Sequence, residues 1–201
     1  MNILLLGATG TFGKSFTKKL LSDTNYKLTL VSRNASEIYK YNGRQSVINA
    51  DATNILELSK VIKNQDVVYC AISGEQLPVV ANNLVKCMND NQRLIFMGAV
   101  GIYNEIPDEM DGQDNVDNNI DQIPNRDAVE IIEKSNLQYT IFRPGYLRAG
   151  QEDDYIITKK GEQAKGYITT IQSVEKIALE IIENNELYLK ESISITKDMT
   201  K

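Results

Sequence analysis

The chain has 201 residues, which suits one domain, and 42% of them are hydrophobic against 24% charged, as in ordinary globular proteins. Its 22 Lys and Arg against 27 Asp and Glu give a formal net charge of −5, which disfavours general binding of nucleic acid or anionic membranes. The absence of histidine excludes Ser-His-Asp and Cys-His catalysis and histidine metal ligation, and we predict no metal site.

The N-terminal stretch and the cysteines bear on the compartment in which the protein works. The opening MNILLLG lacks the basic leader and long apolar region of a secretory signal, and no apolar run is long enough to span a bilayer. Cys70 and Cys87 lie in apolar stretches, which is typical of buried free thiols in a reducing environment. We therefore expect a cytoplasmic protein outside the membrane, with its oligomeric state left open.

Apolar strands alternate with amphipathic helices along most of the chain. The predicted strands are Asn2–Leu6, Lys27–Ser32, Gln45–Ala50, Asp66–Ile72, Arg93–Met97 and Tyr139–Phe142. The predicted helices between them are Phe12–Leu21, Ile55–Ile62, Glu75–Met88 and Arg126–Ser135. Runs that are apolar on both faces, in strict alternation with helices, predict an α/β fold of the Rossmann type. Its doubly wound parallel sheet is expected to have the strand order 3-2-1-4-5-6.

The last quarter of the chain follows a different pattern. Tyr155–Lys159 and Tyr167–Ile171 are typical of short extended segments, Ser173 is predicted to cap a helix that ends near Glu183, and Leu187–Thr196 alternates like a strand. We interpret residues 1–150 as the core of a single domain. Residues 151–201 are then a small C-terminal extension packed on the same sheet.

An acidic segment, residues 104–123, carries seven acidic residues and no basic one. It does not fit a calcium loop, because Met110 stands where an oxygen ligand is needed. We predict a solvated, mobile loop over the carboxyl edge of the sheet, and hypothesise that it is a lid.

Three glycines follow the first strand directly and open the first helix. Gly7, Gly10 and Gly13 are spaced as G-x-x-G-x-x-G in the stretch GATGTFG. Gly7 permits a tight turn, Gly10 lets backbone amides approach a pyrophosphate, and Gly13 lets the helix pack closely on the strand. At this position in an alternating fold, the motif predicts a dinucleotide whose pyrophosphate lies at the positive end of the helix.

The stretch GATGTFG resembles the cofactor motif of the short-chain dehydrogenase/reductase superfamily, and AVEIIEKSNLQYTIFRPGYL resembles its helix–strand–RPG segment. The chain is most similar to the atypical and extended branch, which includes the NmrA-like proteins and the flavin/biliverdin-IXβ reductases. The resemblance implies that Asp51 and Ala52 lie near the adenine and that Ala71, Ile72 and Ser73 border the adenosine half of the cofactor. The further cofactor-binding residues that it implies are Thr9, Thr11, Phe12 and Pro144.

The end of the second strand predicts which nicotinamide cofactor is preferred. NAD sites usually place an acidic residue there to bind the ribose hydroxyls, whereas this strand ends Val31-Ser32-Arg33-Asn34. Arg33 is suited to pair with a 2′-phosphate, and Ser32 can add a hydrogen bond. We therefore predict NADP(H) in preference to NAD(H).

The catalytic pair implied by the resemblance, a tyrosine with a lysine four residues later, is missing from the helix that begins near Pro124. Arg126 takes the lysine position; it stays charged and cannot relay a proton, but it can hold the nicotinamide ribose or a phosphate. Gly98 and Ala99 stand where the superfamily has its serine. The literal match Tyr155-x-x-x-Lys159 is treated as chance, because residues four apart on a strand are separated by about 13 Å.

Two functions remain open at this point. The first is a reductase that passes hydride from NADPH to a small acceptor (a flavin, quinone or carbonyl compound) without the usual Tyr/Lys pair. The alternative is a non-catalytic NADP(H)-binding sensor that regulates a protein partner. Tyr103, after the fifth strand, and Tyr146, after the Arg143-Pro144-Gly145 turn, are the predicted substrate-facing residues.

Overall fold

Most of the strands arise from short apolar runs, several of them rich in β-branched residues. The structure is a computed structural model that describes residues 1–151 and 153–200; Glu152 and Lys201, both within the predicted extension, lie outside the described residues. The strands are β1 (Asn2–Leu6), β2 (Lys27–Ser32), β3 (Gln45–Asn49), β4 (Val67–Cys70), β5 (Arg93–Met97), β6 (Gln138–Arg143), β7 (Tyr146–Arg148), β8 (Ile156–Lys159), β9 (Ile168–Thr170) and β10 (Glu191–Thr196).

The helices follow the strands in chain order. They are α1 (Thr11–Asp23), α2 (Ala35–Ile38), α3 (Ile55–Ile62), α4 (Leu77–Cys87), α5 (Ile123–Glu133) and α6 (Ile171–Glu183). Prolines at the first turns of α4 and α5 fit there, because a helix start leaves backbone amides without an intrahelical partner.

The main sheet has the order β3-β2-β1-β4-β5-β6-β10-β8. Its first six strands are parallel, so the predicted order 3-2-1-4-5-6 is confirmed. The C-terminal extension lengthens the same sheet, since β10 pairs in parallel with β6 and β8 pairs antiparallel with β10. Strands β7 and β9 form a separate parallel pair beside it.

Helices cover both faces of the sheet, which explains the continuous apolar runs. Along β1, Leu4 and Leu6 pack on the side of α3, α4 and α5, whereas Ile3 and Leu5 pack on the side of α1 and α6. From Ile3 to Leu6 each β1 side chain therefore enters a core, and a polar residue at any of these four positions would be buried. Ile177 of α6 lies in the same core layer as α1, so the extension contributes to the main core.

Local geometry in the extension differs from the sequence predictions at two points. The predicted strand Leu187–Thr196 is too long, because Tyr188 and Lys190 have positive φ angles of 50° and 57° and β10 begins only at Glu191. The cap of α6 is Thr170 and not Ser173: the Thr170 hydroxyl accepts a hydrogen bond of 3.2 Å from the Ser173 amide. Threonine is a good N-cap, but in the sequence its β-branched shape favoured a strand residue.

The acidic segment is more ordered than predicted. It contains three short 3-10 turns, and Glu105, Ile106, Asn115 and Val116 are buried. The Asn115 side chain accepts a hydrogen bond from the Ile106 amide (3.0 Å) and donates one to the Ile106 carbonyl (2.8 Å). The prediction of a solvated loop is therefore wrong for these four residues. The Asn115 side chain satisfies the amide and the carbonyl of Ile106, so that this backbone can be buried without a strand partner.

Both cysteines are free thiols. Cys70 is fully buried on β4, and burial raises its pKa to about 12, whereas Cys87 is half-buried at the end of α4 and its pKa is also raised by burial. Neither thiol is activated as a nucleophile. Across residues 1–151 and 153–200, no helix has both the length and the apolar character needed to cross a bilayer.

Candidate functional site

The glycine-rich loop connects β1 to α1 and lies between the carboxyl ends of β2 and β4. The amides of Gly7 and Ala8 both donate to the Val31 carbonyl, at 3.0 and 3.1 Å. Gly7 has a φ angle of +78°, and a Cβ atom there would lie 2.6 Å from the Ala71 carbonyl oxygen. Only glycine fits both the backbone angle and the space, so the tight turn predicted at Gly7 is present.

Gly13 lets α1 pack closely on the loop, whereas Gly10 leaves the outer side of the loop open. A Cβ atom on Gly13 would lie 2.7 Å from the Ala8 Cα and would overlap the Gly7 carbonyl, so α1 packs directly on the loop. A Cβ atom on Gly10 would lie 3.3 Å from the Gly7 carbonyl oxygen and 4.0 Å from the Ala71 carbonyl oxygen, and Gly10 is exposed. The backbone at Gly10 is therefore open to an approaching ligand.

The N-terminus of α1 provides a site for an anion. Gly10 is its N-cap, and the first turn contains no acidic residue. The Lys14 amide makes the first hydrogen bond within the helix, to the Gly10 carbonyl at 2.9 Å. The amides between Gly10 and Lys14 therefore have no partner within the helix. Backbone amides of this kind, at the positive end of a helix, bind phosphate groups.

A cleft of about 430 Å³ opens beside this loop, at the carboxyl ends of β1, β2, β3 and β4. The residues that line it are Leu6, Gly7, Thr9, Gly10, Val31, Ser32, Arg33, Asn34, Ala50, Asp51, Ala52, Thr53, Ala71, Ile72, Ser73, Glu75, Gln76 and Val80. This is the edge of an open parallel sheet at which ligands bind, where the strand order reverses on either side of β1.

The cleft brings together residues that the sequence predicted separately, from four different loops. The predicted cofactor-binding residues that line it are Gly7, Thr9, Gly10, Ser32, Arg33, Asp51, Ala52, Ala71, Ile72 and Ser73. Five others lie elsewhere: Thr11, Phe12 and Gly13 form the first turn of α1, and Arg126 and Pro144 lie beyond β5. The sequence reasoning missed Asn34, Thr53 and the side chains at the start of α4, although Asn34 and Thr53 adjoin predicted residues.

Comparison with known proteins agrees with this geometry. The sequence profile of a family described as NAD(P)H-binding matches residues 7–185, which include the whole glycine loop and all cleft residues except Leu6. The chain belongs to this NAD(P)H-binding family. Family membership shows NAD(P)H binding on an oxidoreductase-like fold, and the cleft at the glycine loop is the candidate site for the dinucleotide.

Solved structures similar to this NAD(P)H-binding protein include one from Shigella flexneri, described as a Rossmann-fold NAD(P)-binding family protein. It is 32% identical, covers 100% of this chain and 96% of its own, and has a TM-score of 0.81. A short-chain dehydrogenase/reductase from Veillonella parvula, solved in complex with NADP, is 25% identical over 99% of this chain and 95% of its own, with a TM-score of 0.85. An anaerobilin reductase from Escherichia coli O157:H7 shares the fold at 16% identity, with a TM-score of 0.79 over 100% of this chain and 99% of its own.

A curated relative by sequence is a UDP-N-acetylglucosamine 4,6-dehydratase (inverting) from Campylobacter jejuni, 32% identical over 98 residues. The matching stretch covers 45% of this chain but only 29% of that enzyme. The match therefore concerns a part common to both chains and carries no information on the substrate of this NAD(P)H-binding protein.

The end of β2 is arranged around Ser32. Its hydroxyl accepts a hydrogen bond from the Thr9 amide (3.2 Å) and donates one to the Val31 carbonyl (2.7 Å). Arg33 is exposed, and its guanidinium makes no hydrogen bond or ion pair with any of the residues that the structure describes. The Arg33 charge acts on Asp51 only through space, so the donors of its guanidinium remain available to an anionic ligand.

Asp51 lies on the opposite wall of the cleft, after β3. Its carboxylate accepts hydrogen bonds from the Thr53 amide (2.9 Å) and the Thr53 hydroxyl (2.8 Å). These bonds hold the pKa of Asp51 below its usual value, and the positive charge of Arg33 lowers it further. The carboxylate is thus ionised at neutral pH and fixed in orientation by its own loop.

Tyr103 does not face the cleft. Its hydroxyl lies 2.8 Å from Glu133 Oε1 and 3.1 Å from Ser192 Oγ, and the Lys160 ammonium lies 4.6 Å from the centre of its ring. Glu133 ends α5, which runs back towards the amino ends of the strands, so the tyrosine points away from the carboxyl edge. The prediction that Tyr103 faces the substrate is therefore wrong, because the loop after β5 turns back along the sheet and carries the side chain with it. Burial raises the pKa of Tyr103, which makes it a poor proton donor.

The remaining predicted residues lie at the carboxyl edge but outside the cleft. Arg126, in the first turn of α5, donates from Nε and Nη2 to Asp127 Oδ1 at 3.0 and 2.7 Å. The Pro144 carbonyl accepts a hydrogen bond of 3.0 Å from the Val100 amide and joins the ends of β5 and β6. Tyr146 is 52% exposed on β7, with the Arg148 guanidinium 4.6 Å from its ring centre. Its predicted position beside the nicotinamide stays a prediction.

Proposed function

We propose that the protein binds NADP(H) in preference to NAD(H) in the cleft at the glycine loop, and uses it to reduce a small acceptor. The observation that carries the cofactor preference is Arg33: its guanidinium, which has no hydrogen bond or ion pair with the described residues, lines the cleft where NAD-selective sites place a carboxylate. The Ser32 hydroxyl lies beside it and is already oriented by the backbone.

The chain supplies the binding groups for each part of the dinucleotide. The amides at the start of α1 are suited to the pyrophosphate, because Gly10 leaves the space in front of them open. Arg33 is suited to the 2′-phosphate, to which the Ser32 hydroxyl can also donate once it turns from the Val31 carbonyl. The walls formed by Asp51 and by Ala71–Ser73 are suited to the adenosine half. The residues present therefore fit the cofactor.

The Arg33→Ala variant tests the cofactor preference. Loss of a charge-assisted pair with the 2′-phosphate is expected to weaken NADPH binding about 10- to 100-fold. NADH binding is expected to stay unchanged, because NADH lacks the phosphate. Calorimetric titration of wild type and variant with both nucleotides measures this, and NADH reports whether the rest of the cleft is intact. Equal affinities of the wild type for NADPH and NADH would refute the preference.

The acceptor is proposed to be a flavin or quinone, with a carbonyl compound as a weaker candidate. When bound, NADPH supplies a hydride, which with one proton from water reduces such an acceptor by two electrons and leaves NADP⁺. The described residues offer no positioned proton donor of the usual kind: α5 contains no tyrosine, Arg126 is paired with Asp127, and Tyr103 points away. Flavins and quinones need less acid assistance than carbonyl compounds.

The missing Tyr/Lys pair also favours the alternative function, a non-catalytic NADP(H) sensor acting through a partner protein. The two functions separate in one assay that follows NADPH oxidation with riboflavin, a naphthoquinone or an aldehyde as acceptor. A reductase gives a rate proportional to protein concentration, whereas a sensor binds NADPH and gives no turnover with any of the three. The Arg33→Ala variant should raise the KM for NADPH without lowering kcat at saturation.

A further inference from the structure

A second cavity, of about 500 Å³, lies next to the nucleotide cleft at the same edge of the sheet. One wall is the turn after β4, with Gly74 and Glu75, and the other is the start of α5 with the 3-10 turn before it. Glu75 lines both cavities, so they share a wall. A Cβ atom at Gly74 would meet no atom within 4 Å, which leaves the backbone on that side open.

The far wall of the second cavity is apolar and exposed. Ile120 is 76% exposed and Ile123 is 36% exposed, and Pro124 continues the same surface. Large aliphatic side chains that stay in water cost free energy unless a ligand or partner covers them. A neighbouring apolar surface beside a cofactor cleft is therefore suited to a flat, apolar ligand.

Polar side chains hold this wall in place without covering it. The Asn119 side chain accepts from the Asp121 amide (3.0 Å), Gln122 donates to the Val100 carbonyl (3.3 Å), and Asn125 donates to Gln122 (3.0 Å). These bonds fix the turn from both sides, so the outward position of Ile120 is built into the segment. A preformed apolar wall binds a rigid ligand with little loss of conformational entropy.

The charged side chains that line the second cavity are all negative. Its two titratable lining residues are Glu75 and Asp121, both acidic and exposed. The nearest cation in sequence, Arg126, is already paired with Asp127 at 2.7 Å. The acidic segment that supplies Asp121 contains no basic residue. An anionic ligand in this cavity would meet repulsion that no local cation offsets.

We propose that the second cavity receives the acceptor and selects a flat, apolar ring system that carries no negative charge. This inference rests on the proposed reductase function and names its substrate class: uncharged or cationic ring acceptors are favoured over phosphorylated or carboxylated ones. Apolar contact with Ile120 and Ile123 supplies affinity, and the carboxylates of Glu75 and Asp121 supply the discrimination by charge.

Riboflavin and FMN are the matched pair that tests it, because they share the reacting ring and differ by one phosphate. With NADPH at saturation and low salt, kcat/KM for riboflavin is expected to exceed that for FMN by about tenfold. Asp121→Asn should reduce this ratio, and the double variant Glu75→Gln/Asp121→Asn should bring it to within about twofold. Glu109→Gln removes an exposed charge from the same segment outside the cavity and should keep the wild-type ratio.

The outcomes separate this inference from the proposed function. If wild type uses FMN as well as riboflavin, the charge selection is overturned. If neither flavin is reduced, quenching of flavin fluorescence by the protein with NADP⁺ measures binding directly. Riboflavin bound about tenfold more tightly than FMN supports the cavity and its charge selection, and the reductase function is overturned if the naphthoquinone and the aldehyde also give no turnover. Equal binding of the two flavins, or binding of neither, overturns the cavity assignment.

Discussion

Replacing Gly13 by alanine is expected to destabilise the protein by about 3 kcal/mol and to abolish NADPH binding at ordinary concentrations. The added Cβ would lie 2.7 Å from the Ala8 Cα and would overlap the Gly7 carbonyl, so α1 must move away from the loop. Backbone atoms cannot rotate aside as a flexible side chain does. Because the same shift moves the amides at the start of α1, the binding site and the stability are lost together. Denaturant unfolding and calorimetric titration measure the two effects.

Gly10→Ala is the matched variant for this prediction. Its Cβ would come no closer than 3.3 Å to any atom beyond the neighbouring residues, and Gly10 already has extended backbone angles that alanine adopts. The free energy of unfolding should change by less than about 1 kcal/mol, while the methyl group occupies the space in front of the amides and weakens NADPH binding. If Gly10→Ala binds NADPH as wild type does, no phosphate approaches the loop at this point.

Replacing Glu105 by glutamine is expected to lower the free energy of unfolding by about 3–5 kcal/mol, because it leaves the Arg143 charge buried without its counter-ion. Arg143 has no exposed surface, and its Nη1 pairs with Glu105, which is itself buried. The same guanidinium donates to Ser192 Oγ and to the Thr158 carbonyl, both at 3.1 Å. The arginine therefore connects the acidic segment, β6 and the extension.

Two further variants identify the cause of that loss. Glu105→Gln combined with Arg143→Met removes the buried charge as well and should recover part of the stability, because no uncompensated ion remains. Glu130→Gln removes an exposed ion pair with Lys134 and should change stability little. A Glu105→Gln protein as stable as wild type would show that water or another group neutralises Arg143. Urea unfolding of the four proteins provides the comparison.

The sequence predicted the parallel core well because the relevant signals are local. Each strand from β1 to β6 is a short apolar run followed by a helix, and this alternation constrains the sheet order strongly. The glycine loop was predictable for the same reason. The steric demands on Gly7 and Gly13 come from the loop, the first turn of α1 and the adjacent β4 end, and the motif lies at the β1–α1 junction.

Contacts between distant parts of the chain were not predictable in this way. The role of Glu105 depends on Arg143, 38 positions later, and in the sequence it was one of seven acids in an apparently solvated segment. Tyr103 was placed at the carboxyl edge because it follows β5, but the chain turns back and brings its hydroxyl to Glu133 and Ser192. Neither the burial of a charge nor the direction of a loop is encoded in the neighbouring residues.

In the candidate site, too, one part was predictable from the sequence and the other depends on contacts that only the structure shows. Its proposed adenosine half is formed by residues that immediately follow β1 to β4, and most of those were predicted from the glycine motif, the end of β2 and the family resemblance. The proposed acceptor half depends on how the turn before α5 is held by Asn119, Gln122 and Asn125. Those hydrogen bonds decide that Ile120 faces outward, and they become visible only in three dimensions.

Calorimetric titration of the wild-type protein with NADPH, and separately with NADH, tests most directly whether the cleft is a site for NADP(H). We predict that one NADPH binds per chain and that it binds more tightly than NADH, because Arg33 would pair with the 2′-phosphate that NADH lacks. A folded protein that binds neither nucleotide would contradict the assignment of the cleft, and the glycine loop would then serve only to pack α1 against β1.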